Sequence, residues 1–291
     1  MNLLLSRRDF LTGAAATGAA FIVGPTLVAA EHPSLAAVDV DFPLVDYHVH
    51  LDQVVTLEKA LQISTERGVK FGIVEHAGTK ENKYPRLLSS DEDLERYLAT
   101  LEGKPVFRGI QAEGLDWMTC FSKSTVAKLD YVLSDALTFP EKDGKRVELW
   151  RPWVQVEDRQ DFMERYVDFN VQVIVREPID ILANPTFLPA CIQKEHDALW
   201  TPERMDKIIH AAVKYGVAIE INSNYRLPTL AFLQRAKKAG VRFSFGSNIH
   251  GLGVGKLDYG LEMTKELSLK RAEIFTPAPA GQKPIQRRSF S

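Results

Sequence analysis

His48 and His50 stand two residues apart at the end of a short apolar run, 44–49. On a β-strand that spacing sends both imidazoles to the same side, where both can reach one cation. Polar residues recur wherever later apolar runs stop: Glu75 and His76, Glu113, Asp135, Asn184, Glu220 and Asn222, then Asn248 and His250. Imidazoles and carboxylates are the donors of zinc, manganese and iron sites. A cation among them would lower the pKa of a bound water towards neutrality and make it a nucleophile. Cys120 and Cys191 are the only cysteines, too few for a four-thiolate zinc site.

These donors are scattered over two hundred residues, so a repeating framework has to gather them. Short β-branched runs at 44–49, 70–75, 106–112, 129–134, 179–183, 217–221 and 241–246 read as strands. Amphipathic patterns at 56–67, 91–101, 159–169, 202–215, 228–239 and 258–268 read as helices. Thr201 before Pro202 is a helix start. Gly68, Gly216 and Gly240 each stop a helix just before a strand. Strand alternating with helix implies parallel pairing with both faces covered. Seven such strands favour a closed α/β barrel over an open doubly wound sheet, and strand ends then converge on one face. Residues 138–158 break the rhythm. Asp143-Gly144 predicts a hairpin turn there, and the stretch reads as an insertion near the barrel mouth.

Composition sets limits. The chain has 291 residues, 45% hydrophobic and 25% charged, with a formal net charge of -2. That is ordinary globular material with no bulk basic field for nucleic acid. Arg7-Arg8 precedes an apolar, Gly- and Ala-rich run from Thr12 to Ala30, interrupted by Gly24-Pro25. Residues 1–30 therefore read as a twin-arginine signal peptide, with no stable membrane span and with the twin-arginine translocation machinery as a partner. The expected location is periplasmic or otherwise extracytoplasmic. Residues 31–291 form the barrel domain, with a tail expected to be loosely ordered from about 277.

Several motifs together resemble the polymerase-and-histidinol-phosphatase (PHP) family, from about Phe42 to Lys256. They are Asp46-Tyr47-His48-Val49-His50 followed by Asp52, Val74-Glu75-His76, Gly109 to Glu113, Asp130 to Leu133, Ala183-Asn184-Pro185, Ala218 to Asn222, and Gly246-Ser247-Asn248-Ile249-His250. The resemblance implies a distorted (β/α)7 barrel and hydrolysis of phosphate esters with clustered metal ions. By the same resemblance, His48 and His50 correspond to ligands of one metal, Glu113 to a bridging carboxylate, and Asp52, His76 and His250 to ligands of another. The sequence departs from the family where it has Leu137 and Asn184 in place of His, and Asn248 in place of Asp. Leu137 cannot ligate, and Asn184 and Asn248 offer only neutral carbonyl oxygens. One or two zinc, manganese or iron ions per chain are expected rather than three.

The function expected is metal-dependent, phosphoesterase-like hydrolysis of a small anionic molecule, with His250 or Glu75 moving a proton. A non-catalytic barrel holding a small molecule or a structural metal is the alternative. Asn184, Glu220 and Asn222 are read either as substrate contacts or as buried hydrogen-bonding groups. Arg176, Arg226 and Lys256 are candidate cations for the substrate. Trp117, Trp150 and Trp153 read either as an aryl or carbohydrate pocket or as packing.

Overall fold

The computed structural model describes residues 40–289. The expected signal peptide lies outside the described residues. The barrel strands are β1 (Val45–His50), β2 (Lys70–Val74), β3 (His76–Ala77), β4 (Phe107–Ala112), β5 (Tyr131–Ser134), and, after a hairpin of β6 (Thr138–Pro140) and β7 (Arg146–Glu148), β8 (Ile181–Leu182), β9 (Ala218–Asn222) and β10 (Phe243–Gly246). β2 and β3 are one strand interrupted at Glu75, and both pair with β4. β1 pairs with β2 on one side and β10 on the other, so seven parallel staves close in chain order. The structure is thus a closed parallel α/β barrel.

The longer helices around it are α1 (Leu57–Arg67), α2 (Asp91–Thr100), α4 (Arg159–Arg176), α6 (Pro202–Tyr215), α7 (Leu230–Lys238) and α8 (Asp258–Leu267), with short turns α3 (Lys123–Val126), α5 (His196–Leu199) and α9 (Pro284–Arg287). Their ends follow local chemistry. Thr56, Ser90, Asp158 and Thr201 each accept a backbone N–H of the first turn, and Gly68 and Gly216 close α1 and α6 at positive φ. α4 runs seven residues past the expected end, because Val173 and Ile174 continue its buried stripe. Among the described residues no helix is long and apolar enough to cross a membrane.

The barrel interior has two layers. The lower one is apolar: Val45, Tyr47, Val74, Tyr131, Leu133, Ile181, Ala183, Ala218 and Phe275 form one cluster. Tyr131 fills the space left by Gly72 and Gly109, where any Cβ would collide with its ring, and its hydroxyl donates to the Tyr47 carbonyl at 2.7 Å. The pairing of β1 with β2 slips between Asp46 and Val49. This bulge lets Tyr47 join the lower layer while the next residue, His48, faces the polar layer above.

The predicted hairpin forms at 138–148. β6 and β7 pair antiparallel, and Gly144 at φ 82° completes the turn with its N–H on the Glu141 carbonyl. The tail is a correction to the sequence reading. Beyond residue 277 it packs against the barrel: Ile285 is buried, Lys283 donates to the Ala127 carbonyl at 2.8 Å, and Arg288 to those of Glu177 and Ile174 at 2.7 and 3.0 Å. Three prolines obscured an anchor made of two cations and one isoleucine. Both cysteines are free, and Cys191 is exposed.

Candidate active site

The polar layer sits at the carboxyl ends of the strands and opens into a cleft of about 300 Å³. His50, His76, Gln111, Asp135, Leu137, Asn184, Asn248 and His250 line it, with Lys83, Tyr84, Trp150, Arg151 and Tyr225 at its mouth. The lining residues on or next to β1, β3, β4, β5, β8 and β10, distant in sequence, meet here because every strand of a parallel barrel points the same way.

His48 is fully buried between two partners. Its Nδ1 lies 2.7 Å from Glu220 Oε1 and its Nε2 lies 2.9 Å from Gln111 Oε1. Burial works against the imidazolium, but the charge and hydrogen bond of Glu220 outweigh it and hold the His48 pKa above the ordinary histidine value. Burial likewise opposes the Glu220 carboxylate. His48 reverses that, and Glu220 ends below the usual carboxylate range. Glu220 and Gln111 Oε1 thus favour the form of His48 in which both ring nitrogens donate. Glu220 Oε2 also accepts the Asn184 N–H at 2.9 Å and Asn222 Nδ2 at 3.2 Å. Glu220 and Asn222 are therefore buried hydrogen-bonding residues beneath the cleft.

Gln111 joins the two histidines. Its Oε1 accepts from His50 Nε2 at 3.0 Å as well as from His48, and its Nε2 donates to Asp135 Oδ2 at 3.3 Å. His50 differs from His48: burial, followed by the neighbouring His76, His48 and His250, drives its pKa well below the usual value. Neutral His50 with its proton on Nε2 leaves Nδ1 as an acceptor. Burial, then the neighbouring His48 and His76, lower the His250 pKa, while Asp52 opposes this.

Two carboxyl groups complete the layer. Glu113 Oε1 lies 2.8 Å from His76 Nδ1, and its Oε2 accepts from Thr138 Oγ1 at 3.1 Å. Asp135 accepts the Leu137 N–H at 3.0 Å and Asn184 Nδ2 at 2.9 Å. Burial, then the negative charge of Glu113, push Asp135 up to about 7. Among the described residues neither carboxylate has a Lys or Arg within ion-pair distance.

The structure brings together most of the residues expected at the site and leaves others out. Glu75 lies at the β2–β3 break, ion-paired with Arg86 at 3.1 Å, and does not line the cleft. Its neighbour His76 does, and successive strand residues face opposite ways. Arg176 is exposed at the end of α4, just before β8, so it lies at the opposite end of the barrel. Arg226 pairs with Glu262 at 2.7 Å and covers the Tyr259 ring, outside the cleft. Lys256 is exposed and also outside it. The cations at the mouth are Lys83 and Arg151 instead. Trp117 is core. Asp52 Oδ1 accepts the N–H groups of Val54 and Val55 at 2.7 and 2.6 Å, which fastens its own loop.

Tyr84, Thr138 and Gln111 were not assigned a role from sequence. Gln111 is two residues before Glu113, and the period of two was a usable signal for it. Nothing in the sequence placed Tyr84. Its ring lies on His76 with centroids 3.6 Å apart, and continues a ladder of near-parallel rings: His250 to His50 at 5.4 Å, His50 to His76 at 4.7 Å, and Tyr84 to Trp150 at 6.1 Å.

As the side chains stand, no group of three or more His, Cys, Asp or Glu residues closes on a single metal position among the described residues. Gln111 Oε1 occupies the point on which the two Nε2 atoms converge. The donor chemistry nevertheless fits a cation. Two buried carboxyl groups repel each other beside three imidazoles that line the same cleft, and a divalent ion would answer that concentration of negative charge.

No family profile and no curated protein sequence matches the chain. Among solved structures, it is similar to a chain of an archaeal ribonuclease P with mature tRNA at 14% identity and a TM-score of 0.38, covering 77% of this chain and 87% of that one. A β-mannanase from Streptomyces thermolilacinus matches at 11% identity and a TM-score of 0.33, over 78% of each chain. The mannanase catalytic domain from Streptomyces sp. SirexAA-E matches at 12% identity and a TM-score of 0.33, over 78% of this chain and 74% of that one.

Proposed function

We propose that this chain is a PHP-like, metal-dependent hydrolase that uses an activated water to cleave a small anionic ester, most simply a phosphoester. The observation that carries the reading is a pair of buried carboxyl groups, Asp135 in the cleft wall beside His50, His76 and His250, and Glu113 behind it on His76, neither with a Lys or Arg counterion among the described residues. His50, His76, Glu113 and Asp135 are the residues that would hold one or two zinc, manganese or iron ions. His48 backs them, fixed by Glu220. When bound, a divalent cation supplies the charge against which water gives up a proton near neutral pH.

The chain's own groups do the rest. Lys83 and Arg151 at the mouth draw in and orient the anion. His250, the most exposed of the four clustered histidines, with its pKa held low, takes or returns a proton at the rim. Leu137 and Trp150 reduce water access on the hairpin side. The twin-arginine signal fits a protein that folds and loads its ion before leaving the cytoplasm.

A second reading, a non-catalytic binding barrel, draws on one observation: the His48–Gln111–His50 bridge is already satisfied without an ion. The test is elemental analysis of the purified chain together with turnover on a panel of phosphate monoesters and diesters, with and without added zinc, manganese or iron. Stoichiometric metal and metal-dependent turnover, both lost in His50→Ala with Asp135→Asn, are expected. Metal-free protein that binds an anion and turns over nothing would favour the binding barrel.

A further inference from the structure

A second cavity of about 300 Å³ adjoins the cleft. The two share Lys83, Tyr84 and Arg151 in their walls, so the outer groove lies directly beside the cleft. Trp153 stands on the outer groove and is 68% exposed, one of only four large hydrophobic side chains left open to solvent among the described residues. The Arg151 guanidinium lies over both Trp150 and Trp153, at 5.7 and 5.5 Å from their ring centroids.

Most polar side chains of the groove are engaged with one another, whereas Arg151 keeps its terminal guanidinium nitrogens available, because Glu148 accepts from its Nε. Glu148 pairs with Arg151. Arg146 pairs with Glu81 and donates to Asn82 Oδ1 at 3.0 Å. Asn82 Nδ2 donates to the Thr79 carbonyl, and Thr138 bonds Tyr84. A sugar needs free donors and acceptors around its hydroxyls, whereas a flat aromatic group needs ring faces and a cation edge. The groove offers the latter.

We infer that the outer groove is an aryl subsite: the substrate is an anionic ester whose other part carries an aromatic ring, seated against Trp153 and Arg151 while the anion enters the cleft. This rests on the anion-binding reading of the cleft given above. A single extended ligand suits the geometry because Arg151 borders both cavities and can face the anion and the ring together.

Phenylphosphonate and methylphosphonate, whose P–C bonds resist hydrolysis, separate the two ideas. Their binding to the purified, metal-loaded chain is measured by calorimetry and by tryptophan emission. Phenylphosphonate is expected to bind about tenfold more tightly, within the range of aromatic stacking, and to change tryptophan emission where methylphosphonate does not. Trp153→Ala, at an exposed position that the fold does not need, is expected to bring phenylphosphonate down to the affinity of methylphosphonate. Equal affinities in the parent chain overturn the aryl subsite and leave the anion site standing. A preference that survives in Trp153→Ala also overturns it, because the ring is then bound elsewhere. Failure of both compounds to bind removes the anion reading and the subsite together.

Discussion

The His48 imidazole and the Glu220 carboxylate, 172 residues apart in sequence, meet at 2.7 Å in the centre of the barrel with essentially no exposure to solvent. Such a pair is costly to bury and costlier to break, since the survivor is left as an uncompensated charge. Gly246 leaves room for it: a Cβ there would strike Glu220 Oε1.

Glu220→Gln is therefore expected to destabilise the chain by about 3–5 kcal/mol, the range for halving a buried ion pair. Gly246→Ala should cost a comparable share by displacing the carboxylate. Urea melts of the two variants check this. A Glu220→Gln midpoint equal to that of the parent would mean that His48 is neutral and needs no counterion.

Asp180 gives a prediction about pH. Burial raises its pKa to about 7, against opposing contributions from the Val132 N–H, Lys283 and Arg242. The folded state then holds a proton that the unfolded chain releases near the ordinary aspartate value of 3.8. Stability should fall as pH rises from about 4 through 7, by a few kcal/mol at most for this group. Asp180→Asn keeps an acceptor for Val132 and should flatten that decline. Melting temperatures of parent and variant between pH 4.5 and 8 read the difference; parallel curves would sink the assignment.

Arg288 donates to carbonyls at the carboxyl end of α4, where a cation also complements the helix dipole. Arg288→Ala should lower stability by about 1–2 kcal/mol and speed amide exchange in the last turn of α4. Exchange unchanged there would show that the tail contributes nothing to the helix end.

Leu137, Asn184 and Asn248 all border the cleft. The triple change Leu137→His, Asn184→His and Asn248→Asp should raise the number of metal ions bound per folded chain, since two imidazoles and a carboxylate replace weaker groups. Elemental analysis gives the count. A folded triple variant with no added metal would mean that these positions do not face the same ion as His50 and His76.

The barrel was largely legible in the sequence because its determinants are local and periodic. All seven expected strands appear within a few residues, and glycines at 68 and 216 stop helices as their position implies. The site was legible where strand period two applied, as at His48 and His50. It was illegible where a loop folded back. Tyr84 reaches His76 from an irregular segment with no pattern to read. Arg226 and Arg176 carry the right charge, but only the direction of chain travel reveals that α4 ends at the far side of the barrel. Asn184 and Asn248 also have a backbone aspect hidden in a ligand comparison. Both adopt positive φ, 48° and 44°, where asparagine is better tolerated than most residues.

The β6–β7 hairpin is an insertion between two staves and forms a two-stranded sheet of its own. Trp150, Arg151 and Trp153 follow directly on it, whereas His48, His50, His76 and Glu113 stand on or beside barrel strands. On the function proposed above, chemistry and recognition are thus written on different stretches of the chain. A lineage, or an engineer, can rewrite residues 150–153 and change what is selected without rebuilding the frame that would act on it.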